Sequence, residues 1–171
     1  TPFEKTRFLQ QMKNGELAIQ EQSAGNAFGK QAPVFDQLYG SDSIVQYKRK
    51  RVRDHVEQWI KPGSYMLELN AGTGEDAVYF AKQGHRIHAT DISTGMLGIK
   101  KRKIAEQGLS AQVTHESCSY TDLGSLQQNG PYDYLFSNFA GLNCTGSIEK
   151  VLSSFKTLTK PGGYITLVLL P

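Results

Sequence analysis

The sequence predicts an α/β fold in which a mostly parallel β-sheet is covered by helices. Beyond residue 62, short apolar runs alternate with segments of helical character, which is the pattern of strands joined by crossover helices. Gly84 and Gly108 stand where helix C-caps would fall, and Ser93 stands where an N-cap would fall. The 171 residues are enough for one domain with its own hydrophobic core.

Five runs predict the strands of this sheet, and three segments predict its helices. The strands are YMLEL (65–69), RIHAT (86–90), AQVTH (111–115), YDYLFSN (132–138) and YITLVLL (164–170). The helices are Glu75 to Lys82, Ser93 to Glu106 and Ser147 to Leu158. The fifth strand is strongly apolar and would lie at or near a sheet edge, an arrangement that favours aggregation. We expect it to be covered, either by a partner chain, as in a homo-oligomer, or by a continuation of the natural protein beyond Pro171.

The first 61 residues predict an N-terminal helical segment ahead of a domain at 62–171. Gln, Lys and Glu are frequent here, and apolar residues recur at helical intervals. An apolar arc, at about 100° per residue, predicts a helix that packs on the sheet. Its members are Val45, Val52, Val56, Trp59 and Ile60. The stretch 23–40, with its glycines and aromatic residues, predicts a loop that acts as a lid over the bound ligand.

Composition argues against several classes of protein. No apolar run approaches the roughly 20 residues of a membrane-spanning helix, and the opening TPFEKTRF lacks the basic-then-apolar order of a signal peptide. Cys118 and Cys144 lie far apart and form no metal-type pair, so we expect free thiols in the cytoplasm and no metal site. A net charge of +3 is too small to indicate a nucleic-acid partner.

The glycine turn after the first strand predicts an adenosine-type ligand. Gly72-Thr-Gly74-Glu-Asp-Ala77 satisfies the dinucleotide-binding pattern, in which a small third residue lets strand and helix pack closely. Asp91 follows Gly72 by nineteen residues and ends the second strand, where a carboxylate would accept hydrogen bonds from both ribose hydroxyls. Its alternative role is to cap the helix that begins at Ser93.

Charge around the turn narrows the ligand further. Glu75 and Asp76 occupy the first helical turn, where a pyrophosphate would otherwise lie, and they would repel it. Glu68 ends the first strand and can accept a hydrogen bond from an amino group, or alternatively cap the turn. A ligand with adenosine, an ammonium and a sulfonium but no phosphate fits these carboxylates. We therefore predict S-adenosylmethionine.

Four motifs, ELNAGTGEDA, ATDIS, YDYLFSNFAGLN and LTKPGGYITLVLL, make the chain resemble the class I S-adenosylmethionine-dependent methyltransferases. The resemblance runs from Tyr39 to Pro171 and is closest to the small-molecule branch often labelled methyltransferase type 11 or 12. It implies a Rossmann-like, doubly wound sheet with helices on both faces. It also implies two further strands after the fifth, whereas this chain stops after the fifth.

The same resemblance implies the site residues. Glu68 and the turn hold the methionine end of the cofactor; the turn residues are Asn70, Ala71, Gly72, Thr73 and Gly74. Asp91 holds the ribose, and Ile92 and Met96 contact the adenine. After the third strand, Ser117, Cys118 or Ser119 replaces an acidic residue that commonly reaches the adenine amino group. Asn138 ends the fourth strand at the mouth of the site, and Tyr39 of the lid is a further candidate contact.

These residues predict an enzyme that transfers a methyl group to an oxygen, nitrogen or carbon of a small molecule by in-line displacement, with no residue assignable as catalytic. A noncatalytic S-adenosylmethionine-binding module and a nicotinamide-dependent oxidoreductase are the alternatives. The basic runs KRKRVR (48–53) and KKRK (100–103) are interpreted as solvated helix faces. Arg49 lies nearer the apolar arc and could anchor the cofactor carboxylate, although a snorkelling surface side chain is the preferred interpretation.

Overall fold

The computed structural model describes the backbone of residues 2–128 and 130–171, and the side chains of residues 15, 16, 19–128 and 130–171. The side chains of residues 1–14, 17 and 18, which belong to the predicted segment 1–61, thus lie outside the described residues. Helices and strands follow in the order α1 (Pro2–Tyr39), α2 (Ser43–Glu57), β1 (Tyr65–Leu69), α3 (Glu75–Lys82), β2 (Arg86–Asp91), α4 (Thr94–Glu106), β3 (Val113–Ser117), β4 (Tyr132–Ser137), α5 (Ile148–Leu158) and β5 (Thr159–Leu167). Short 3₁₀ segments at Tyr120–Ser125 and Gly141–Cys144 follow β3 and β4.

The five described strands form one parallel sheet in the order β3-β2-β1-β4-β5. The central strand β1 pairs with β2 on one side and with β4 on the other, so that Glu68 lies level with Ala89 and Phe136. The chain therefore places β2 and β3 on one side of β1 and then crosses to the other side, where it places β4 and β5. This order confirms the predicted doubly wound, Rossmann-like fold.

Helices cover both faces of the sheet because alternate side chains of the buried strands point to opposite sides. Met66 of β1 packs with Phe80 of α3 and Ile104 of α4 in one apolar cluster. Leu67, the next residue, packs with Val151 and Phe155 of α5 in the other. The sheet is thus the middle layer of three.

Strand boundaries differ from the prediction most at the two edges of the sheet. β3 begins two residues later than predicted, at Val113, and β5 begins five residues earlier, at Thr159. Thr159 already pairs with Tyr132, and a register irregularity before Tyr134 accommodates the sequence Lys-Pro-Gly-Gly. An edge strand tolerates a proline because one side of its ladder has no partner. The predicted edge position of the fifth strand is confirmed, while its covering partner stays a prediction.

The loop predicted at 23–40 is wrong, because this stretch belongs to α1 through Tyr39. Its glycines serve a close helix crossing. A Cβ on Gly25 would lie 2.7 Å from Cγ2 of Ile92, and a Cβ on Gly95 of α4 would lie 2.8 Å from the carbonyl oxygen of Gly29. Local composition indicated a loop, but tertiary packing of α1 on the start of α4 requires small residues here. The predicted apolar arc also runs too far, since α2 ends at Glu57 and leaves Trp59 45% exposed.

Candidate functional site

The candidate site lies at the carboxyl ends of β1 and β4, where ligands bind in doubly wound sheets. The turn between β1 and α3 uses left-handed backbone at Asn70 (φ 46°), Gly72 (φ 52°) and Gly74 (φ 82°). The Asn70 side chain ties this turn to β4: its Nδ2 donates to the Asn138 carbonyl oxygen at 2.8 Å, and its Oδ1 accepts from Ser137 Oγ at 2.5 Å. Asparagine tolerates left-handed backbone better than most residues, and here its amide also holds the two strand ends together.

Asp91 at the end of β2 caps the start of the next helix, as one of its two predicted roles requires, while its role as a ribose ligand stays a prediction. Its Oδ2 accepts a hydrogen bond from Gly72 N at 2.8 Å, and its Oδ1 accepts one from Ser93 N at 2.8 Å. The carboxylate therefore fixes the glycine turn and the start of the next helix. Each carboxylate oxygen can accept a further hydrogen bond, and Asp91 lines a cavity. Capping and ligand binding are compatible at this residue.

Two adjoining cavities open above this edge of the sheet, with volumes of about 270 Å³ and 120 Å³. They share five lining residues: Phe28, Phe35, Asn70, Gly72 and Phe139. The larger cavity is also lined by the predicted residues Glu68, Ala71, Thr73, Asn138 and Tyr39. The smaller one is lined by Asp91, Ile92 and Met96. The two form one elongated site that runs from the β1–β4 junction to β2.

Helix α1 forms one wall of both cavities and is held there by two carboxylates. Asp36 accepts from Thr73 Oγ1 at 2.6 Å and forms an ion pair with Lys103 at 2.6 Å. At the other end, the buried Glu21 accepts from Thr145 Oγ1 at 2.7 Å and hydrogen-bonds to Ser119. The lid predicted from the sequence is thus a helix, and its role as a lid stays a prediction.

Not every predicted site residue reaches the cavities. Gly74 caps α3 and does not line them. Among Ser117, Cys118 and Ser119, none lines either cavity; the Cys118 thiol is buried, and Ser119 is occupied by Glu21. The next residue, Tyr120, lines the smaller cavity instead.

Glu68 is a buried acid in the wall of the larger cavity. Its side chain is 5% exposed, and its Oε2 has no hydrogen-bond partner among the residues that the structure describes. Burial and the neighbouring Asp76 raise the pKa of the Glu68 carboxyl to about 8, against the opposing charges of Lys100, Arg49 and Arg53. The ionised form of Glu68 would be an unpartnered carboxylate in a cavity wall and a strong acceptor for a cationic group, and a bound cation would in turn favour that form.

Asp76 and Glu75 are neutralised by neighbouring cations. Asp76 accepts from Arg49 Nη1 and Arg53 Nε, each at 2.7 Å, and from Asn138 Nδ2 at 3.0 Å. Glu75 forms an ion pair with Lys103. These pairings weaken the predicted repulsion of a pyrophosphate, because the carboxylates are not free. They also correct the surface interpretation of Arg49, which is buried and lies 4.6 Å over the Phe139 ring.

Several site residues were missed from the sequence. Phe28 and Phe35 are seven residues apart on α1, a helical spacing that was hidden by the predicted loop. Phe139 follows β4 in left-handed backbone (φ 52°), an unusual conformation for a bulky residue that often marks a functional site. Lys100 was assigned to a solvated face but is fully buried. Its spacing of four from both Met96 and Ile104, which are buried on the same helix, was the available signal.

Neither a membrane-spanning helix nor a metal-binding cluster is found within the described part of the chain. Its helices include none that is long and apolar enough to cross a membrane. The described His, Cys, Asp and Glu side chains form no group of three or more that could hold a metal ion.

Comparison with known proteins identifies the fold and the family. Residues 66–163 match the family model described as "Methyltransferase domain". Demethylmenaquinone methyltransferase of Bacteroides fragilis is 26% identical over 148 residues, covering 82% of this chain and 57% of that protein. The S-adenosyl-L-methionine-dependent Diels-Alderase iccD of Talaromyces variabilis is 29% identical over 122 residues, covering 70% of this chain and 41% of that protein. Among solved structures, the 4+2 cyclase SpnF matches with a TM-score of 0.73 at 19% identity, covering 85% of this chain and 58% of that one.

The chain spans little more than half of the length of the Bacteroides protein. The family match covers most of the Rossmann-like domain, from β1 into β5, and includes the glycine turn, Asp91 and Asn138. The chain therefore belongs to the methyltransferase domain family, which confirms the predicted resemblance to the class I S-adenosylmethionine-dependent methyltransferases.

Proposed function

We propose that this chain binds S-adenosylmethionine and belongs to an enzyme that transfers its methyl group to an oxygen, nitrogen or carbon of a small molecule by in-line displacement. The main support for this proposal is Glu68 Oε2, which has no hydrogen-bond partner among the described residues and belongs to a residue in the wall of the larger cavity. A buried carboxylate without a partner favours a cationic ligand, and the ammonium of the cofactor is such a group. The residues present therefore fit the group that the family uses.

The elongated site divides into three regions under this proposal. Glu68, the turn from Asn70 to Thr73, and Asn138 surround the methionine end. Asp91 offers its remaining acceptor positions to the ribose hydroxyls. Ile92, Met96 and Tyr120 supply the walls for the adenine. Since Ser119 is occupied by Glu21, any contact from 117–119 to the adenine edge would come from the backbone or from the other two side chains.

The acceptor is proposed to have an apolar, flat body. Four aromatic rings line the larger cavity: Phe28, Phe35, Tyr39 and Phe139. Of the charged groups that line this cavity, Arg49 and Asp76 are paired with each other, Glu75 is paired with Lys103, and Glu68 is assigned to the cofactor. Such a surface favours an aromatic or otherwise apolar acceptor over a highly charged one. The name of the menaquinone-type relative supports this class.

Bound S-adenosylmethionine supplies a methyl group that is already activated on a sulfonium. The residues of the chain hold the donor and the acceptor in line and exclude water, which supplies much of the barrier reduction in such a transfer. α1 contributes to water exclusion because it forms a wall of both cavities. A general base is needed only when the acceptor arrives protonated, and we assign none.

A noncatalytic S-adenosylmethionine-binding module is the second candidate. The relative named as an S-adenosyl-L-methionine-dependent Diels-Alderase bears on it, because that name joins the cofactor to a reaction other than methyl transfer. Formation of S-adenosylhomocysteine in the presence of an acceptor separates the two candidates. Quinol-type and other flat apolar acceptors are the first to assay.

Calorimetric titration tests cofactor binding directly. We expect S-adenosylmethionine and S-adenosylhomocysteine to bind and a nicotinamide dinucleotide not to bind. Asp91→Ala should weaken both affinities by at least about tenfold, as expected for the loss of charge-assisted hydrogen bonds. The matched control is Asp54→Ala, which removes an exposed carboxylate paired only with Lys50. Preferential binding of the nicotinamide dinucleotide, or equal affinities for Asp91→Ala and the control, would contradict the proposal.

A further inference from the structure

Lys100 is a fully buried cation beneath the glycine turn. It projects from α4 and is 0% exposed, and its Nζ makes no hydrogen bond to any residue that the structure describes. Its stem fills the space left by Gly74: a Cβ on that glycine would lie 2.7 Å from Lys100 Cγ. Gly74 is therefore needed for two reasons, its left-handed backbone and the close approach of this lysine.

The charges around Lys100 arise from three strands. Burial lowers the pKa of Lys100, whereas Asp91 of β2 and Glu68 of β1 attract its ammonium and favour the charged form. Its field acts in turn on His88 of β2 and His115 of β3, whose pKa values it helps to lower. The lysine thus lies among the carboxylates that the proposed function assigns to the cofactor.

Glu68 faces four charged groups from three helices. Asp76 of α3 opposes ionisation of Glu68, while Lys100 of α4 and Arg49 and Arg53 of α2 favour it. Both arginines are already paired with Asp76 at 2.7 Å. Of these three cations, Lys100 has no carboxylate partner among the described residues. Its charge is not taken up by an ion pair and acts on both Asp91 and Glu68.

We propose that Lys100 is a positioning residue of the cofactor site, whose buried ammonium favours ionisation of Glu68 when this carboxyl receives the ammonium of S-adenosylmethionine. This role rests on the proposed function of Glu68. Lys100 does not touch the cofactor; it acts through the carboxylate from beneath the turn. A purely structural role would require only its methylene stem, which fills the space beside Gly74.

Lys100→Met tests the charge while preserving an unbranched apolar side chain of similar length, and Lys101→Met on the exposed face of α4 is the matched control. We expect Lys100→Met to raise the pKa of the Glu68 carboxyl by at least about one unit in ¹³C NMR titration of the ligand-free chain. Affinity for S-adenosylmethionine at pH 7.5 should fall about tenfold, since each unit is a tenfold change in the ionised fraction below the pKa. Affinity for 5′-methylthioadenosine, which lacks the amino acid, should stay within threefold. An unchanged Glu68 titration, or equal losses for both ligands, would overturn the proposal.

Two further measurements keep the test decisive. In the wild-type chain, the Lys100 ammonium should remain protonated at pH 7 by NMR titration of its Cε and Nζ; a neutral amine there would overturn the proposal without any variant. Glu68→Gln should weaken binding of S-adenosylmethionine but not of 5′-methylthioadenosine. If Glu68→Gln has no effect, the proposed role of Glu68 itself fails. If only Lys100→Met has no effect, the role of Lys100 fails alone.

Discussion

Replacing Asp76 by asparagine should destabilise the fold strongly, because one carboxylate holds together three elements. Asp76 on α3 is 2% exposed and accepts hydrogen bonds from Arg49 and Arg53 of α2 and from Asn138 after β4. Asparagine preserves the size of the side chain and can still bond with Asn138. The substitution thus removes the charge alone and leaves two arginines facing an amide.

The expected loss in the free energy of unfolding is about 3 kcal/mol. Removal of one partner from a buried ion pair costs about 3–5 kcal/mol, because a buried charge is left uncompensated. The side chains of Arg49 and Arg53 are 10% and 15% exposed, so both are largely withdrawn from water. Arg53 also donates to the Glu75 carbonyl oxygen at 2.8 Å and lies 4.1 Å over the Tyr79 ring. These remaining contacts place the estimate at the lower end of the range.

Urea unfolding followed by circular dichroism measures this loss. Asp54→Asn is the matched control, since its carboxylate pairs with Lys50 on the surface, and such a pair contributes about 0–1 kcal/mol. A difference of less than about 1 kcal/mol between the two variants would refute the reasoning that burial makes the Asp76 network costly to break.

Three further outcomes follow from local geometry. Gly95→Ala should lower the melting temperature, because its Cβ would lie 2.8 Å from the carbonyl oxygen of Gly29. The control Gly98→Ala, on the same helix, meets nothing within 4 Å and should stabilise the fold by about 0.5–1 kcal/mol. Equal melting temperatures for the two variants would contradict the packing of α1 on α4. Burial raises the pKa of the Cys118 thiol to about 11. Alkylation at pH 8, measured by mass spectrometry, should therefore modify Cys144 well before Cys118 in the folded chain, and urea should remove the difference. Simultaneous labelling of the folded chain would show that Cys118 is accessible. Burial lowers the pKa of His88 below its ordinary value of 6.5, against the opposing effect of Glu116, so protonation favours the unfolded chain below that pH. On going from pH 7.5 to 5.5, His88→Gln should therefore lose less unfolding free energy than the wild type, and equal losses would count against this effect.

Much of the sheet could be predicted because its signals are local. Four of the strands began within two residues of their predicted starts, since buried parallel strands form short apolar runs bounded by turn residues. The start of β5 was missed because residues 159–163 contain no apolar run, and Thr159 pairs with Tyr132 ahead of a register irregularity. Helix α1 was misread at 23–40 for the opposite reason. Its glycines are poor helix formers, and their advantage appears only when α4 packs against them.

The residues of the candidate site show the same difference between local signals, which the sequence contains, and long-range packing, which it does not show. The residues of the glycine turn and Asp91 follow a spacing that a single βαβ unit fixes, so sequence order was sufficient. The aromatic residues that line the larger cavity come from α1 and from the segment after β4, which are distant in the chain and meet only in the fold. Lys100 could not be separated from its exposed neighbours in KKRK by composition. Its burial depends on the absence of a side chain at Gly74, which precedes α3 and is distant in the sequence.

The carboxylates at the turn also differ in kind, although the sequence presents them as one acidic group. Asp76 and Glu75 are each matched by cations on neighbouring helices, and Asp91 is bonded by two backbone amides. These acids organise the turn and need no ligand to be stable. Glu68 alone among the four has a buried oxygen without a hydrogen-bond partner among the described residues, and its charge is balanced only by cations at a distance. We therefore attribute the proposed specificity for a positively charged cofactor to Glu68, with Lys100 beneath it, rather than to the number of acidic residues around the glycines.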